Sequence, residues 1–237
     1  MLNPDHEFDL FRHVVPTDVK VAEASILAIQ LGLLPEESAQ AAHWALRRRR
    51  EFQAGRVCAR RALVQLGMCR TSVIAAGPRR EPLWPPGIVG SITHTDDYCA
   101  AAVAYASRVR GIGIDAALNA SLPYGVCDLI SSPLERECLP TTPAHDADPV
   151  TLLFSAKESL FKLLYVLTHD SYGFRDVHID FDFNDRSFHV MPAWGGPRSL
   201  TVDWSHVVGR FAVDSHYVVT AAWLPPANGH GIARSSP

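Results

Sequence analysis

The sequence predicts an α+β protein in which each half pairs a long helix with a small antiparallel sheet. Three observations carry this expectation: an arginine-rich helical region over 35–66, a cluster of short β-like runs over 88–115, and a strong helix over 150–167 followed by alternating runs up to residue 224. Helices and strands are segregated into blocks, and the block pattern occurs twice, which favours α+β over an alternating α/β architecture.

Over 17–31, Val21, Ala24, Ile26, Leu27 and Leu31 recur at helical spacing, and Gly32 suits a stop. Residues 35–66 read as one long helical region opened by Glu36 and Glu37. A connector rich in proline and glycine follows over 77–87, then strand-like runs at 88–93, 100–105 and 111–115. Residues 119–139 read as a loop with a short helix, and 140–149 as a second loop. After the 150–167 helix, the runs 177–183, 187–191 and 210–224 alternate apolar and polar residues as strands do. The tail from Pro225 is expected to be mobile.

A chain of 237 residues fits one large domain or two intimate half-domains. The division adopted is 1–116 and 117–237, although no exact repeat relates the two. Hydrophobic residues make up 47% and charged residues 20%, enough to bury a sizeable core. A net charge of −3 argues against a protein devoted to nucleic acid, which needs a basic face. Five cysteines without a CxxC pair read as reduced thiols of a cytoplasmic protein. The first residues lack a basic segment leading into an apolar one, so no signal peptide is expected, and no apolar run is long enough to span a membrane.

Four constellations could carry chemistry. In FSAKESLFK (154–162), Lys162 lies four residues beyond Glu158, which puts both on one helical face. Alone, that is a surface pair; the dense apolar surroundings place it at the edge of a core, in reach of a cleft. GIGID (111–115) ends a strand on Asp115, either as a turn cap or as a ligand for a hard cation, with Glu158 as the second carboxylate. GSITH (90–94) offers hydroxyls and an imidazole that suit ordinary turn chemistry or phosphate oxygens. The arginines from Arg47 to Arg50, with Arg56, Arg60 and Arg61, form either a solvated face or, where they border apolar residues, a phosphate clamp.

Taken in this order, GSITH, GIGIDAA (111–117) and FSAKESLFK resemble the motifs of Sfp-type phosphopantetheinyl transferases, nearest the enterobactin-synthase and actinobacterial branch. RRREFQAGRVCARRAL (48–63) and EPLWPPGIVGSITH (81–94) extend the resemblance over more than half of the chain. It implies two α/β half-domains related by a pseudo-twofold, with coenzyme A bound between them as substrate. By position, Arg48 and Arg56 would bind its 3′-phosphate, and Ser91, Thr93 and His94 its adenosine and phosphate end. The backbone of Arg79, Glu81 and Pro82 would lie against the nucleotide. Asp115 and Glu158 would hold Mg²⁺, with Mn²⁺ as the alternative, and Lys157 and Lys162 would lie near the pyrophosphate. Glu135 aligns with a further acid of unsettled role.

The family's GxDxE motif is broken here, because Ala117 stands where the second acid belongs. A water can fill the missing position, since Mg²⁺ keeps waters readily. The implied reaction moves 4′-phosphopantetheine from coenzyme A to a serine of an acyl, peptidyl or aryl carrier protein and releases 3′,5′-ADP. Asp115, Glu158 and Lys162 would be its catalytic residues, and Glu158 or a water on the ion its base. The alternative is a coenzyme A-binding protein whose transfer is impaired or absent because of Ala117; a non-enzymatic scaffold is a second rival. Residues 124–139 are carrier-facing by analogy, and a monomer is expected.

Overall fold

The computed structural model describes residues 8–30, 32–140, 147–193 and 202–226. Most of the tail expected to be mobile, from residue 227 on, lies outside them, as do 141–146 of the second loop and Leu31. The elements run β1 (Lys20–Ser25), α1 (Pro35–Ala41), α2 (Leu46–Gln65), β2 (Ile88–Thr95), β3 (Tyr98–Tyr105), β4 (Gly111–Leu118), α3 (Val126–Ile130), α4 (Pro133–Cys138), α5 (Pro149–Thr168), β5 (Val177–Asp182), β6 (Ser187–Pro192), β7 (Val208–Val213) and β8 (Tyr217–Leu224). The fold is α+β, with one antiparallel sheet ordered β1-β3-β2 and another ordered β4-β8-β7-β6-β5. The division after residue 116 falls inside β4.

Two expectations are corrected. The helix over 17–31 is instead the edge strand β1, which pairs antiparallel with β3 from Lys20↔Val103 to Ser25↔Tyr98. Its Glu23 turns inward, where its carboxylate accepts hydrogen bonds from Leu10 N, Phe11 N and Tyr98 Oη. These long-range partners outweigh local helical preference. The single helix over 35–66 is two, because the chain turns after Ala41 and restarts at Leu46; there Trp44 packs edge-on against Phe52 at 4.9 Å. The expected run 210–224 is the hairpin β7–β8, turned at Asp214, whose carboxylate accepts from His216 N and Tyr217 N.

The two sheets meet where β2 runs beside β4. Period-two alternation puts Ser91 and Thr93 on the same face of β2. There Ser91 Oγ accepts from Ile114 N at 3.1 Å, and Thr93 Oγ1 accepts from Ala116 N at 3.0 Å. Helix α5 lies across β4 so closely that a Cβ at Gly113 would fall 1.9 Å from the Ser159 carbonyl oxygen. Only glycine permits that approach.

Two buried ion pairs of the same design pin the long helices α2 and α5. The short helices α1 and α4 carry proline at their first position and glutamate at their third, in LPEE (34–37) and SPLE (132–135). Glu37 accepts from Leu34 N, Ile74 N and the Arg60 guanidinium on α2. Glu135 accepts from Ser132 N, Ile179 N and the Lys157 ammonium on α5. Each carboxylate thus ties a helix start, an extended segment and the long helix together, with its charge met by a cation and by backbone donors. All five cysteines are free thiols. No helix of the described residues is long and apolar enough to cross a membrane.

Candidate active site

A cleft of about 590 Å³ opens along the line where β2, β4 and α5 meet. One wall is β2 from Gly90 to His94 with Arg48 of α2; the other is Asp115 with Phe161, Lys162, Tyr165 and Val166 of α5. Residues Arg79, Arg80, Glu81 and Pro82 form one end, together with Asp170, Ser171 and Tyr172.

The seam of the two sheets fixes Asp115. Its Oδ1 accepts from Lys162 Nζ at 2.8 Å and from Thr93 Oγ1 at 3.3 Å, while Lys162 also donates to the Ile114 carbonyl at 2.9 Å. Glu158 stands one helical turn from Lys162, half-buried, and no described residue donates a hydrogen bond to it. Burial pushes its carboxyl above the usual range and the Asp115 charge adds to that, against the pull of Lys162. The like-charge effect shows that the two carboxylates feel each other.

Opposite, Arg48 Nη1 donates to Glu51 Oε2 at 3.2 Å and meets His94 Nε2 at 2.9 Å. Burial lowers the His94 pKa, helped by Arg48 and Lys162, while Glu51 and Asp115 pull the other way. Arg48 Nε is the buried side-chain polar atom that lacks a hydrogen-bond partner among the described residues. At the cleft's end, Arg80 adopts a left-handed φ of 69°, Arg79 Nη1 donates to Ser171 Oγ, and the Arg79 guanidinium lies over the Tyr165 ring. Glu81 accepts from Arg79 N at 2.8 Å and from Tyr165 Oη at 3.4 Å.

The structure thus brings Arg48, Arg79, Glu81, Pro82, Ser91, Thr93, His94, Asp115 and Lys162 into one cleft. Glu158 stands beside the cleft rather than among the residues that line it, and two further residues expected there are elsewhere. Lys157 is fully buried behind α5, where its ammonium donates to Glu135 at 2.8 Å and to the carbonyls of Ile130, Phe174 and Val177. Arg56 is buried over the Phe52 ring and donates to the Ile74 and Ala75 carbonyls; burial pushes its pKa down to about 10. The hydroxyls of Ser91 and Thr93 reach the cleft but are engaged in joining the sheets. Sequence reasoning passes over Tyr165 and Glu51. Both sit three residues along a helix from a residue it did select, Lys162 and Arg48, and that spacing is the available signal.

Among the described residues no group of three or more histidine, cysteine, aspartate or glutamate side chains converges on a metal position. Asp115 and Glu158 form a pair, and Ala117, two residues along β4, adds no oxygen. Asp115 at the cleft and Glu158 beside it, whose like charges oppose each other, fit a hard divalent cation, which relieves their repulsion.

Comparison with known proteins agrees with this geometry. Residues 36–104 match the model of the 4′-phosphopantetheinyl transferase N-terminal domain, and residues 111–222 that of the 4′-phosphopantetheinyl transferase superfamily. The 4′-phosphopantetheinyl transferase Npt of Nocardia iowensis is 40% identical over 222 residues, 88% of this chain and 96% of the relative. PptT of Mycobacterium tuberculosis is 41% identical over 228 residues, 91% of this chain and 98% of its own. Enterobactin synthase component D of Escherichia coli K12 is 36% identical over 141 residues, 60% of this chain and 66% of that protein. With two such relatives matched almost end to end and a cleft built by the matched segments, the chain belongs to the 4′-phosphopantetheinyl transferase superfamily.

Proposed function

We propose that the protein transfers the 4′-phosphopantetheine of coenzyme A to a serine of an apo acyl, peptidyl or aryl carrier protein, with release of 3′,5′-ADP and dependence on Mg²⁺, for which Mn²⁺ is the alternative. The observation that carries the reading is one cleft that joins the Asp115–Lys162 pair, with Glu158 one helical turn behind Lys162, to the cations Arg48 on the facing wall and Arg79 at the end. Acids that can hold a cation, facing bases that can hold phosphates, are what a pyrophosphate substrate needs. Coenzyme A would lie between the halves 1–116 and 117–237. The enzyme is read as a cytoplasmic monomer.

Asp115 and Glu158 would hold the divalent ion, which when bound neutralises pyrophosphate charge. Arg48 and Arg79 bind and orient the nucleotide end. Glu158, or a water on the ion, would take the proton of the carrier serine. The serine oxygen forms a bond to the β-phosphorus as the bond from that phosphorus to the bridging oxygen breaks. Lys162 stabilises the charge that gathers on the departing 3′,5′-ADP phosphate.

The test is incubation with coenzyme A, Mg²⁺ and an apo carrier protein, followed by mass spectrometry of the carrier. A gain of one phosphopantetheine on the serine, lost in Glu158→Gln, is expected. Coenzyme A binding without any gain overturns transfer in favour of the binding-only alternative that Ala117 raises.

A further inference from the structure

We propose that Glu51 is a positioning residue for the 3′-phosphate of coenzyme A, acting through Arg48 and His94; the inference rests on the coenzyme A reading above. Glu51 sits on α2 one turn after Arg48, set back from the cleft wall. Its Oε2 accepts from Arg48 Nη1 at 3.2 Å, and its Oε1 accepts from Arg47 Nε at 3.0 Å. The same Oε2 lies 3.9 Å from His94 Nε2. Burial alone would raise the Glu51 carboxyl, but the hydrogen bonds from Arg48 and Arg47 and the Arg48 charge outweigh it and hold it below the usual range. Glu51 is therefore an ionised acceptor.

A guanidinium nitrogen only donates, and each Nη carries two hydrogens. Nη1 of Arg48 uses one hydrogen on Glu51 and the other on His94 Nε2. Two consequences follow. His94 Nε2 must accept, so the imidazole is neutral with its hydrogen on Nδ1, in line with its lowered pKa. The edge of Arg48 left over is Nε with Nη2, the two parallel donors that grip a phosphate side-on. No described residue accepts from either, and Nε is buried without a partner. Glu51 thus turns the guanidinium so that its forked edge, rather than its tip, is offered to an anion, and steadies a neutral histidine donor beside it. The charges facing His94 come from every element packed on it: Arg48 and Glu51 of α2, Asp115 of β4 and Lys162 of α5.

The opposite effect is also physically available. Glu51 is negative, and as a bare charge it would repel a phosphate. The two roles separate cleanly when the acceptor is removed and then restored without charge. Binding of coenzyme A and of 3′-dephospho-coenzyme A to the full-length protein is measured by calorimetry for the parent, Glu51→Ala and Glu51→Gln, with melting temperatures recorded for each. Positioning predicts that Glu51→Ala binds coenzyme A about tenfold more weakly and the dephospho ligand within about twofold of the parent. Glu51→Gln, which keeps an acceptor for Nη1, should recover most of the loss. Parent-like or tighter coenzyme A binding by Glu51→Ala, or equal weakening for both ligands, overturns the assignment. A parent that modifies the carrier while Glu51→Ala binds like it overturns the Glu51 role alone. A parent that does not distinguish the two ligands overturns the 3′-phosphate reading with it.

Discussion

The burial of Lys157 makes a prediction that separates folding from catalysis inside one motif. Its side chain has no exposure, and its ammonium is held by Glu135 and three backbone carbonyls. Replacement by methionine removes the donor but leaves the Glu135 carboxylate buried, with Ser132 N and Ile179 N as its remaining partners. Breaking a buried pair from one side costs about 3–5 kcal/mol, because the surviving charge stays desolvated. A protein of this size shifts by about 2–4 °C per kcal/mol, so Lys157→Met should melt about 6–20 °C below the parent. Against a total stability of about 5–15 kcal/mol, that is a large fraction.

The loss should carry its own signature. Adding Glu135→Gln should recover about 1–3 kcal/mol, since an amide keeps an acceptor for one backbone donor and carries no charge. Urea denaturation and thermal melting monitored by circular dichroism give both numbers. At a temperature where the variant stays folded, its KM for coenzyme A should lie within about twofold of the parent. Lys162→Met should show the reverse balance: a smaller melting loss, because the Lys162 ammonium is partly exposed although Asp115 is buried, and transfer reduced about a hundredfold or more. A Lys157→Met protein that melts within about 2 °C of the parent yet loses coenzyme A affinity tenfold would refute this reasoning.

Glu158→Gln should abolish transfer and, in metal-free buffer, raise the melting temperature above pH ~4.3, the ordinary glutamate value. A folded pKa above the unfolded one gives stability that is full below that value and is lost as pH rises through the folded pKa; an unchanged melting curve at neutral pH sinks the point. Ala117→Glu adds a carboxylate on the Asp115 face of β4 and should tighten Mg²⁺ binding about tenfold or more by calorimetry. An unchanged titration would count against the two-carboxylate site. Gly113→Ala would place a methyl 1.9 Å from the Ser159 carbonyl oxygen, lifting α5 from β4 at a cost of about 1–3 kcal/mol or more. Transfer at the parent's rate would show that the close approach is dispensable.

How much of this was legible depends on whether the deciding partners are near in sequence. The 150–167 helix, the three central strands and most cleft residues follow from local pattern and motif order. The strand β1 does not, because KVAEAS consists largely of helix-tolerant residues and becomes a strand only by pairing with β3 and burying Glu23 against Tyr98. The break between the first two helices carries no glycine or proline to announce it. Lys157 was legible and misassigned. At about 100° per residue, positions four apart on a helix differ by about 40° and positions five apart by about 140°. Glu158 and Lys162 therefore share a face, whereas Lys157 and Lys162 cannot both look into one cleft. The paired LPEE and SPLE starts were likewise present in the chain, but only the structure reveals that each glutamate captures a distant cation.

Exposure sorts the charged pairs into two working classes. Arg60–Glu37 and Lys157–Glu135 are buried, with side chains at most 10% exposed. Such pairs cannot exchange partners without stranding a charge, so they serve to hold helices to their sheets. Arg48–Glu51 and Lys162–Asp115 border the cleft with their cations 36% and 31% exposed. Both cations keep contact with solvent, so a substrate phosphate can compete for either. Without ligand Arg48 and Lys162 are each matched by an acid. With ligand the phosphates can take the cations, and the acid freed from Lys162 is Asp115, one of the two carboxylates suited to a divalent ion. The same exchange that loads coenzyme A would thus prepare the metal site, and coenzyme A and Mg²⁺ should bind with positive coupling. A calorimetric coenzyme A affinity that does not rise with Mg²⁺ would break that link.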